Sequence, residues 1–359
     1  MSYGDDPFLV CYNMMKIRYP EYDSSIESIE YLKPDDKVNV FINFESVMGN
    51  ISCIKDVDKK MVLEREFDTI MTADILNLLA HYKRFFRQNN LETRVFLYST
   101  DLTSSKFNNF TYNEDYRSYY LMKYMNNPRF SYLGEELVDK ILPDTKKIAE
   151  FISNVYIITA PNIEGSLIPY IIGNMDKSYK NLIITNDIYD TQYQLIDNYL
   201  CHFIRKSYTG STISCTMEKT LKCIFKDKVE EDYSIFNKAP YYLLLLSCVG
   251  DKKRSIEPIK GIGVKTIIKL INRGISESII TDKTDNIELL KHIMSPDYQE
   301  DLVNNFKCID IREQYDILSK EDIYNIEKQL IDRFDNGSLL KLNATRFFNH
   351  QLMLEELTM

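Results

Sequence analysis

Five short apolar runs, Val38–Asn43, Arg94–Ser99, Val155–Thr159, Asn181–Thr185 and Leu200–Ile204, constrain the fold of this chain more than any other feature. Each is rich in Val, Ile, Phe or Tyr and too short for an independent helix, which predicts buried strands. Helical patterns lie between them, most clearly over Ala73–Gln88, where Ile75, Leu78, Leu79, Tyr82 and Phe86 recur at helical spacing. Strands alternating with helices imply an α/β core around a mostly parallel sheet. In such sheets, ligands sit at the carboxyl ends of the strands, so the residues just after each run are where chemistry is expected.

The texture changes twice along the chain. Residues 102–153 are polar, rich in Tyr and Asn, and carry little strand signal; after Phe236 the pattern is helical. Signals there include Asp285-x-x-Glu288 as a capping box before Leu289 and Leu290, and the long segment Lys320–Phe334. The expected organisation is an N-terminal extension (1–37), an α/β core (38–235) with an insertion (102–153), a helical binding region (236–310) and C-terminal helices (311–359).

Composition narrows the class. The apolar share of 44% and charged share of 27% are those of a globular protein, and no apolar run approaches the ~18–20 residues of a membrane span. The seven cysteines are scattered and form no Cys-x-x-Cys, which argues against zinc and for reduced thiols in a cytoplasm. A net charge of −9 argues against indiscriminate coating of nucleic acid, so any nucleic-acid site must be local.

One local site stands out. Gly261-Ile262-Gly263-Val264-Lys265-Thr266 reads as a tight turn opening a short helix, with Gly261 and Gly263 free to take positive φ. The helix runs to Asn272 and stops at Gly274. Amides at such a turn point outward together and bind a phosphate, and Lys265 and Lys269 add charge there. Ile262 would plug the turn onto a neighbouring helix. Seven basic residues, including Lys252, Lys253 and Arg254, face one acidic residue across 252–273, a reversal of sign against the whole chain. Contacts of this kind position a backbone and do not read sequence.

The stretch from Gly250-Asp251-Lys252-Lys253-Arg254 through Gly261-Ile262-Gly263-Val264-Lys265-Thr266 resembles, without a gap, a signature of the flap endonuclease and phage 5′-exonuclease family. That signature runs Gly-Asp-x-x-Asp-Asn-Ile-Pro-Gly-x-x-Gly-Ile-Gly-x-Lys. The resemblance implies a PIN-like nuclease core, an arch over the active site and a helix–three-turn–helix that grips duplex, junction or flap DNA. It also implies phosphodiester hydrolysis with two Mg²⁺ or Mn²⁺ ions ~3.5–4 Å apart, held by carboxylates. Roles in replication, repair or viral genome handling follow from the same resemblance.

Residue by residue, the implied metal site is incomplete. Asn43 stands where an Asp ends the first strand, with Glu45 nearby as a substitute. Asp101 matches the next acidic position, and Lys106 and Arg117 are candidate arch cations. The family's Glu-Ala-Asp-Asp appears as Glu164-Gly165-Ser166-Leu167, so Ser166 has lost a carboxylate. Asp187 and Asp190 follow the fourth strand. In the helical signature Asp251 remains, but Arg254 replaces the second Asp, and a cation at a ligand position opposes metal binding. Asp101, Glu164, Asp187 and Asp190 are therefore the candidate catalytic residues, and Glu164, Asp187, Asp190 and Asp251 the candidate metal ligands.

The leading expectation is a nucleic-acid-binding protein of this fold with impaired cleavage. The alternatives are an active Mg²⁺- or Mn²⁺-dependent 5′-nuclease and an assembly subunit that reuses the fold for protein contacts. Two smaller features carry expectations as well. His81, Lys83, Arg84 and Arg87 form a basic helix face, and the tyrosines between 112 and 132 are candidates to stack on a single strand. The extension 1–37 is a candidate docking segment for a protein partner.

Overall fold

The computed structural model describes residues 32–44, 75, 79, 82–83, 86–100, 142–149, 154–160, 163–207, 210–214, 217–225, 233, 236, 239–251, 254, 256–260, 263–264, 267–268 and 296–331. All five expected strands are present: β1 (Lys37–Asn43), β2 (Glu92–Thr100), β3 (Val155–Ala160), β4 (Lys180–Thr185) and β5 (Tyr199–Ser207). They are mutually parallel, and a sixth strand, β6 (Gly210–Ser214), pairs antiparallel with β5. The sheet order is β3-β2-β1-β4-β5-β6. This is a mostly parallel α/β sheet, as expected; β6 is the addition that the sequence pattern did not suggest.

Burial on both faces explains why the parallel strands read as continuous apolar runs. Val38, Val40, Phe41 and Ile42 of β1 are wholly buried, as are Val95, Phe96 and Leu97 of β2. Phe96 lies between Phe41 and Tyr156, stacked on each at 4.8 Å between centroids. Ile75, Leu79, Tyr82 and Phe86 are helical and buried, in keeping with the amphipathic reading of Ala73–Gln88. Leu78 lies outside the described residues.

One polar pair sits in the sheet interior. Asn39 and Asn181 are directly opposite each other in β1 and β4, and the Asn39 amide donates to Asn181 Oδ1 at 2.9 Å. Arg94 Nε donates to Asn39 Oδ1 at 2.8 Å from the neighbouring strand. A slip of one strand by one residue would turn its amide to the other face and break the pair, so the pairing helps fix the register.

The helices follow in chain order: α1 (Leu142–Ala149), α2 (Ile168–Met175), α3 (Met217–Phe225), α4 (Ala239–Val249), α5 (Pro296–Ile309), α6 (Ile311–Asp316) and α7 (Lys320–Ile331). Helix α7 confirms the helical segment expected from Lys320, and Ser319 caps it by accepting from Asp322 N at 3.1 Å. The expected Asp285-x-x-Glu288 box lies outside the described residues.

Helix α7 covers the exposed edge of the sheet. Gln329 Nε2 donates to Thr159 O at 2.7 Å and its Oε1 accepts from Thr159 N at 3.3 Å, so one side-chain amide takes the place of a neighbouring strand. Helix α5 packs on α4. One hydrophobic cluster joins the sheet (Phe41, Phe96, Ile183) to Tyr242 and Leu245 of α4, Phe306 of α5 and Ile326 of α7. The C-terminal helices thus share the core that the sheet builds.

Replacing Asn39 by Ala leaves the Asn181 amide without its cross-strand partner inside the sheet. We expect Asn39→Ala and Asn181→Ala each to cost about 1–3 kcal/mol. In a double-mutant cycle by urea unfolding, their coupling should be about 1 kcal/mol or more. Strict additivity would show that the pair does not contribute to the register.

Candidate active site

The strand order reverses between β1 and β4, and in open α/β sheets the crevice beyond the carboxyl ends at that switch point is where ligands bind. Asn43 ends β1 and Thr185 ends β4, so both sit at the mouth of this crevice. Beyond β4 the chain enters a 3-10 turn, Tyr189–Leu195, that carries Asp190, with Asp187 just before it. Beyond β3, Glu164 precedes a second short 3-10 turn, Gly165–Leu167. Asp251 and Arg254 arrive from the loop after α4.

That loop is tightly made. Asp251 N donates to Ile256 O and Ile256 N to Asp251 O, each at 2.9 Å, and Arg254 N closes back on Asp251 O at 3.1 Å. Gly250 has φ of +70°, and a Cβ there would lie 2.4 Å from Ile256 O and 2.7 Å from Pro258 N. Both the left-handed backbone and the close approach require glycine. Asn305 of α5 fastens the loop to the end of α4 by donating to Ser247 O and Glu257 O, each at 2.9 Å.

The loop turns Arg254 inward. Its side chain is only 2% exposed. Nη2 donates to Glu164 Oε1 at 2.9 Å, to Ser166 Oγ at 3.1 Å and to Asp187 Oδ2 at 3.2 Å. Nη1 donates to Asp251 Oδ2 at 2.6 Å and to Asp187 Oδ1 at 3.3 Å, so Asp187 is held by both arms of the fork. The guanidinium carbon lies 3.9 Å from the centroid of the Tyr189 ring. A planar cation with fixed donors suits this arrangement in a way that a lysine ammonium does not.

Asp190 belongs to a second, adjoining network. Its Oδ2 accepts from Thr185 Oγ1 at 2.7 Å, from Tyr98 OH at 3.0 Å and from Asn43 Nδ2 at 3.1 Å. Complete burial, and then the charge of Asp187, push the Asp190 carboxyl up to about 6, against the opposing influence of Ser166, Arg254 and Thr185. Burial also pushes the Tyr98 phenol well above its ordinary value, with the Asp190 charge adding to the effect, so Tyr98 remains a donor. Asn43 likewise serves as a donor. A carboxylate at that place would face Asp190 as a second negative charge.

Several expectations take a definite form here. Glu164, Asp187, Asp251 and Arg254 converge, and Ser166 joins them through its hydroxyl. Asp187 and Asp190, expected as a pair, face different partners. Arg254, expected among the cations that meet DNA, is buried against three carboxylates and adds nothing to the surface. Gly263 does not take the expected positive φ, and its carbonyl accepts from Ile267 N at 3.0 Å as the first acceptor of a helix. Gly263 is exposed, whereas Ile267 and Ile268 are fully buried.

Asp101, Glu45, Lys106, Arg117, Lys252, Lys253, Gly261, Ile262, Lys265, Thr266 and Lys269 lie outside the described residues. So do His81, Arg84, the tyrosines between 112 and 132, and the extension up to residue 31. Lys83 is buried and Arg87 exposed, so the basic helix face is not uniformly solvated. Sequence reasoning did not single out Thr185, Tyr98 or Tyr189. Their only signal was position, at or just beyond a strand end.

The described residues do not fit a pair of divalent ions. Glu164, Asp187 and Asp251 would be the ligands, and one guanidinium already bonds an oxygen of each. Asp190 and Asn43, the next acidic and amide positions, are engaged with each other. Two dications and a buried Arg254 would place three cationic centres among these carboxylates.

No protein-family model matches the chain, and no curated protein matches it. Among solved structures, the bacteriophage T5 D15 flap endonuclease, in a pseudo-enzyme complex with product DNA and metal ions, matches at a TM-score of 0.52. It is 14% identical, over 82% of this chain and 98% of that one. The T5 D15 protein crystallised with metal ions gives 0.52 at 15% identity, over 82% and 97%. T5 5′-exonuclease with bound zinc gives 0.50 at 13%, over 83% and 100%. The fold is that of the 5′-nucleases. Within this 5′-nuclease fold, the carboxylate crevice described above lies at the carboxyl ends of the central strands.

The raised carboxyl of Asp190 has a consequence for stability. Its folded value of about 6 lies above its ordinary 3.8, so the folded state holds this proton more tightly than the unfolded state. The folded state is favoured below about pH 4, and that advantage is lost as pH rises towards about 6. Above that, ionising the buried carboxyl costs on the order of 3 kcal/mol. Asp190→Asn keeps an acceptor oxygen for Tyr98, Thr185 and Asn43 and cannot ionise. Urea unfolding from pH 4 to 7 should show the variant gaining on the wild-type chain as pH rises. A difference between the two that stays constant with pH would contradict the assignment.

Proposed function

We propose that this chain is a nucleic-acid-binding protein of the 5′-nuclease fold that holds a DNA backbone and does not perform two-metal phosphodiester hydrolysis. The observation that carries this reading is the burial of Arg254 between Glu164, Asp187 and Asp251. Hydrolysis in this crevice would need dications to activate water and stabilise the leaving oxygen. Here a guanidinium stands between the acids instead, with Nη1 and Nη2 committed to Glu164, Asp187, Asp251 and Ser166. The T5 pseudo-enzyme, which has a lysine in place of one aspartate, is in complex with product DNA and metal ions, so support from it extends to DNA binding alone. In that T5 form the fold keeps its DNA.

The binding element is the Gly-Ile-Gly turn, with Lys265 and Lys269 beside it. Gly263 supports this use. Neither its φ nor any described atom within 4 Å requires a glycine there, and it is exposed at the start of a helix. Glycine is favoured over alanine at a helix N-cap, and the bare backbone there is also what a phosphate on helix amides needs. Duplex, junction or flap DNA is the proposed ligand, with contacts that follow the backbone rather than the bases.

Two measurements test the reading. Purified protein with flap or 5′-overhang DNA should yield no cleavage in Mg²⁺ or Mn²⁺, while fluorescence anisotropy detects salt-dependent binding. Cleavage that is lost in Glu164→Ala would establish an active nuclease instead. Absence of any binding would leave the fold to an assembly role. The change Gly263→Ala should lower the melting temperature by no more than the loss of an N-cap preference does and weaken binding roughly tenfold. Lys265→Ala with Lys269→Ala should weaken binding on every DNA sequence and reduce the salt slope by about 0.9 per phosphate no longer neutralised.

A further inference from the structure

We propose that Arg254 is the permanent counter-ion of this crevice, making the fold independent of divalent metal, and that removing it converts Glu164, Asp187 and Asp251 into a divalent-cation site. This rests on the reading of the crevice given above but makes a separate claim, about how the site is held together rather than about DNA.

The geometry points to this role in three ways. Arg254 links three acids that arrive from separate places in the chain: one after β3, one after β4 and one after α4. The first two lie 90 and 67 residues away in sequence. Without the guanidinium, Glu164, Asp187 and Asp251 would lose the cation that bridges them in a largely buried space, and removing one partner of a buried ion cluster is strongly destabilising. The set is also incomplete in a telling way. Glu164 Oε2 is buried and has no hydrogen-bond partner among the described residues, although its sister oxygen binds Arg254. A hard cation placed at the guanidinium would be offered that oxygen along with those of Asp187 and Asp251, a donor set of the kind Mg²⁺ and Mn²⁺ take.

The Ser166 hydroxyl is part of the same exchange. It accepts from Arg254 at 3.1 Å and brings no charge, so the cluster holds three carboxylates against one cation rather than four. The loop that delivers Arg254 is fixed by the Asp251–Ile256 bridge and by Gly250, and these bonds do not involve the guanidinium. Substitution of Arg254 alone therefore leaves Asp251 at the crevice.

The test uses the full-length chain with Mn²⁺ as the probe, read by thermal unfolding and by electron paramagnetic resonance of bound Mn²⁺. The wild-type chain should melt at the same temperature in EDTA and in millimolar Mn²⁺, with no Mn²⁺ held at the crevice. Arg254→Gln should melt well below wild type in EDTA and recover by roughly 5 °C or more when Mn²⁺ saturates it. The double substitution Arg254→Gln with Glu164→Gln removes one charge of each sign. It should be more stable in EDTA than Arg254→Gln alone, and its Mn²⁺ response should be lost.

Three results would overturn the proposal. Wild type binding Mn²⁺ in a manner abolished by Glu164→Gln would show that Arg254 does not occupy the cation's place. Arg254→Gln that Mn²⁺ neither stabilises nor rescues during refolding would show that ion and guanidinium are not interchangeable. A double variant no more stable than the single one would show that Arg254 acts by packing rather than by charge. None of these readouts depends on DNA, so a failure here is distinct from a failure of DNA binding.

Discussion

The fork of Arg254 on Glu164, Asp187 and Asp251 is the interaction on which the rest of the crevice depends. It is a buried cation facing three acids, and its value lies less in net stability than in what its loss would leave behind. A well-made buried ion pair often only breaks even against an apolar replacement, whereas removing one partner strands the others without solvent. The bidentate hold on Asp187 and the seat on Tyr189 fix the plane of the guanidinium, so the charge is delivered in one geometry.

The scaffold converges on that geometry from several directions. The reversal of strand order between β1 and β4 opens the crevice, and the two 3-10 turns after β3 and β4 bring their acids to its rim. Helix α5 locks the Arg254 loop through Asn305. Gln192 ties the turn carrying Asp190 to the α5–α6 junction, donating to Ile309 O and accepting from Ile311 N, each at 3.0 Å. The C-terminal helices, which look peripheral in sequence, thus hold both walls of the crevice.

Much of this was legible in the residues alone. The five parallel strands are buried on both faces, and a short unbroken apolar run is the pattern that such burial demands. Strand β6 was not legible, because an antiparallel strand at the sheet edge needs no such run, and Gly210-Ser211-Thr212-Ile213-Ser214 reads as a turn. Within the site, the resemblance drew attention to Asn43, Glu164, Asp187, Asp251 and Arg254, and the fold brings these residues to one place. The resemblance could not say which way Arg254 faced. A basic residue in a basic run reads the same whether it meets solvent or acids, and the acids that decide the matter are distant in sequence. The split between Asp187 and Asp190 was hidden for a similar reason: Tyr98 and Thr185, which claim Asp190, carry no charge to mark them.

The 5′-nuclease fold here thus combines a carboxylate crevice bridged from within by one guanidinium and an exposed glycine at a helix start on the surface. On the proposed reading these are complementary: the first sets hydrolysis aside, and the second retains the grip on a backbone. A crystal of the protein soaked in Mn²⁺, with anomalous diffraction recorded at the manganese edge, tests the central claim most directly. The account predicts no manganese peak among Glu164, Asp187 and Asp251, and density for Arg254 between them. A manganese peak at that position, with Arg254 displaced from the crevice, would contradict it.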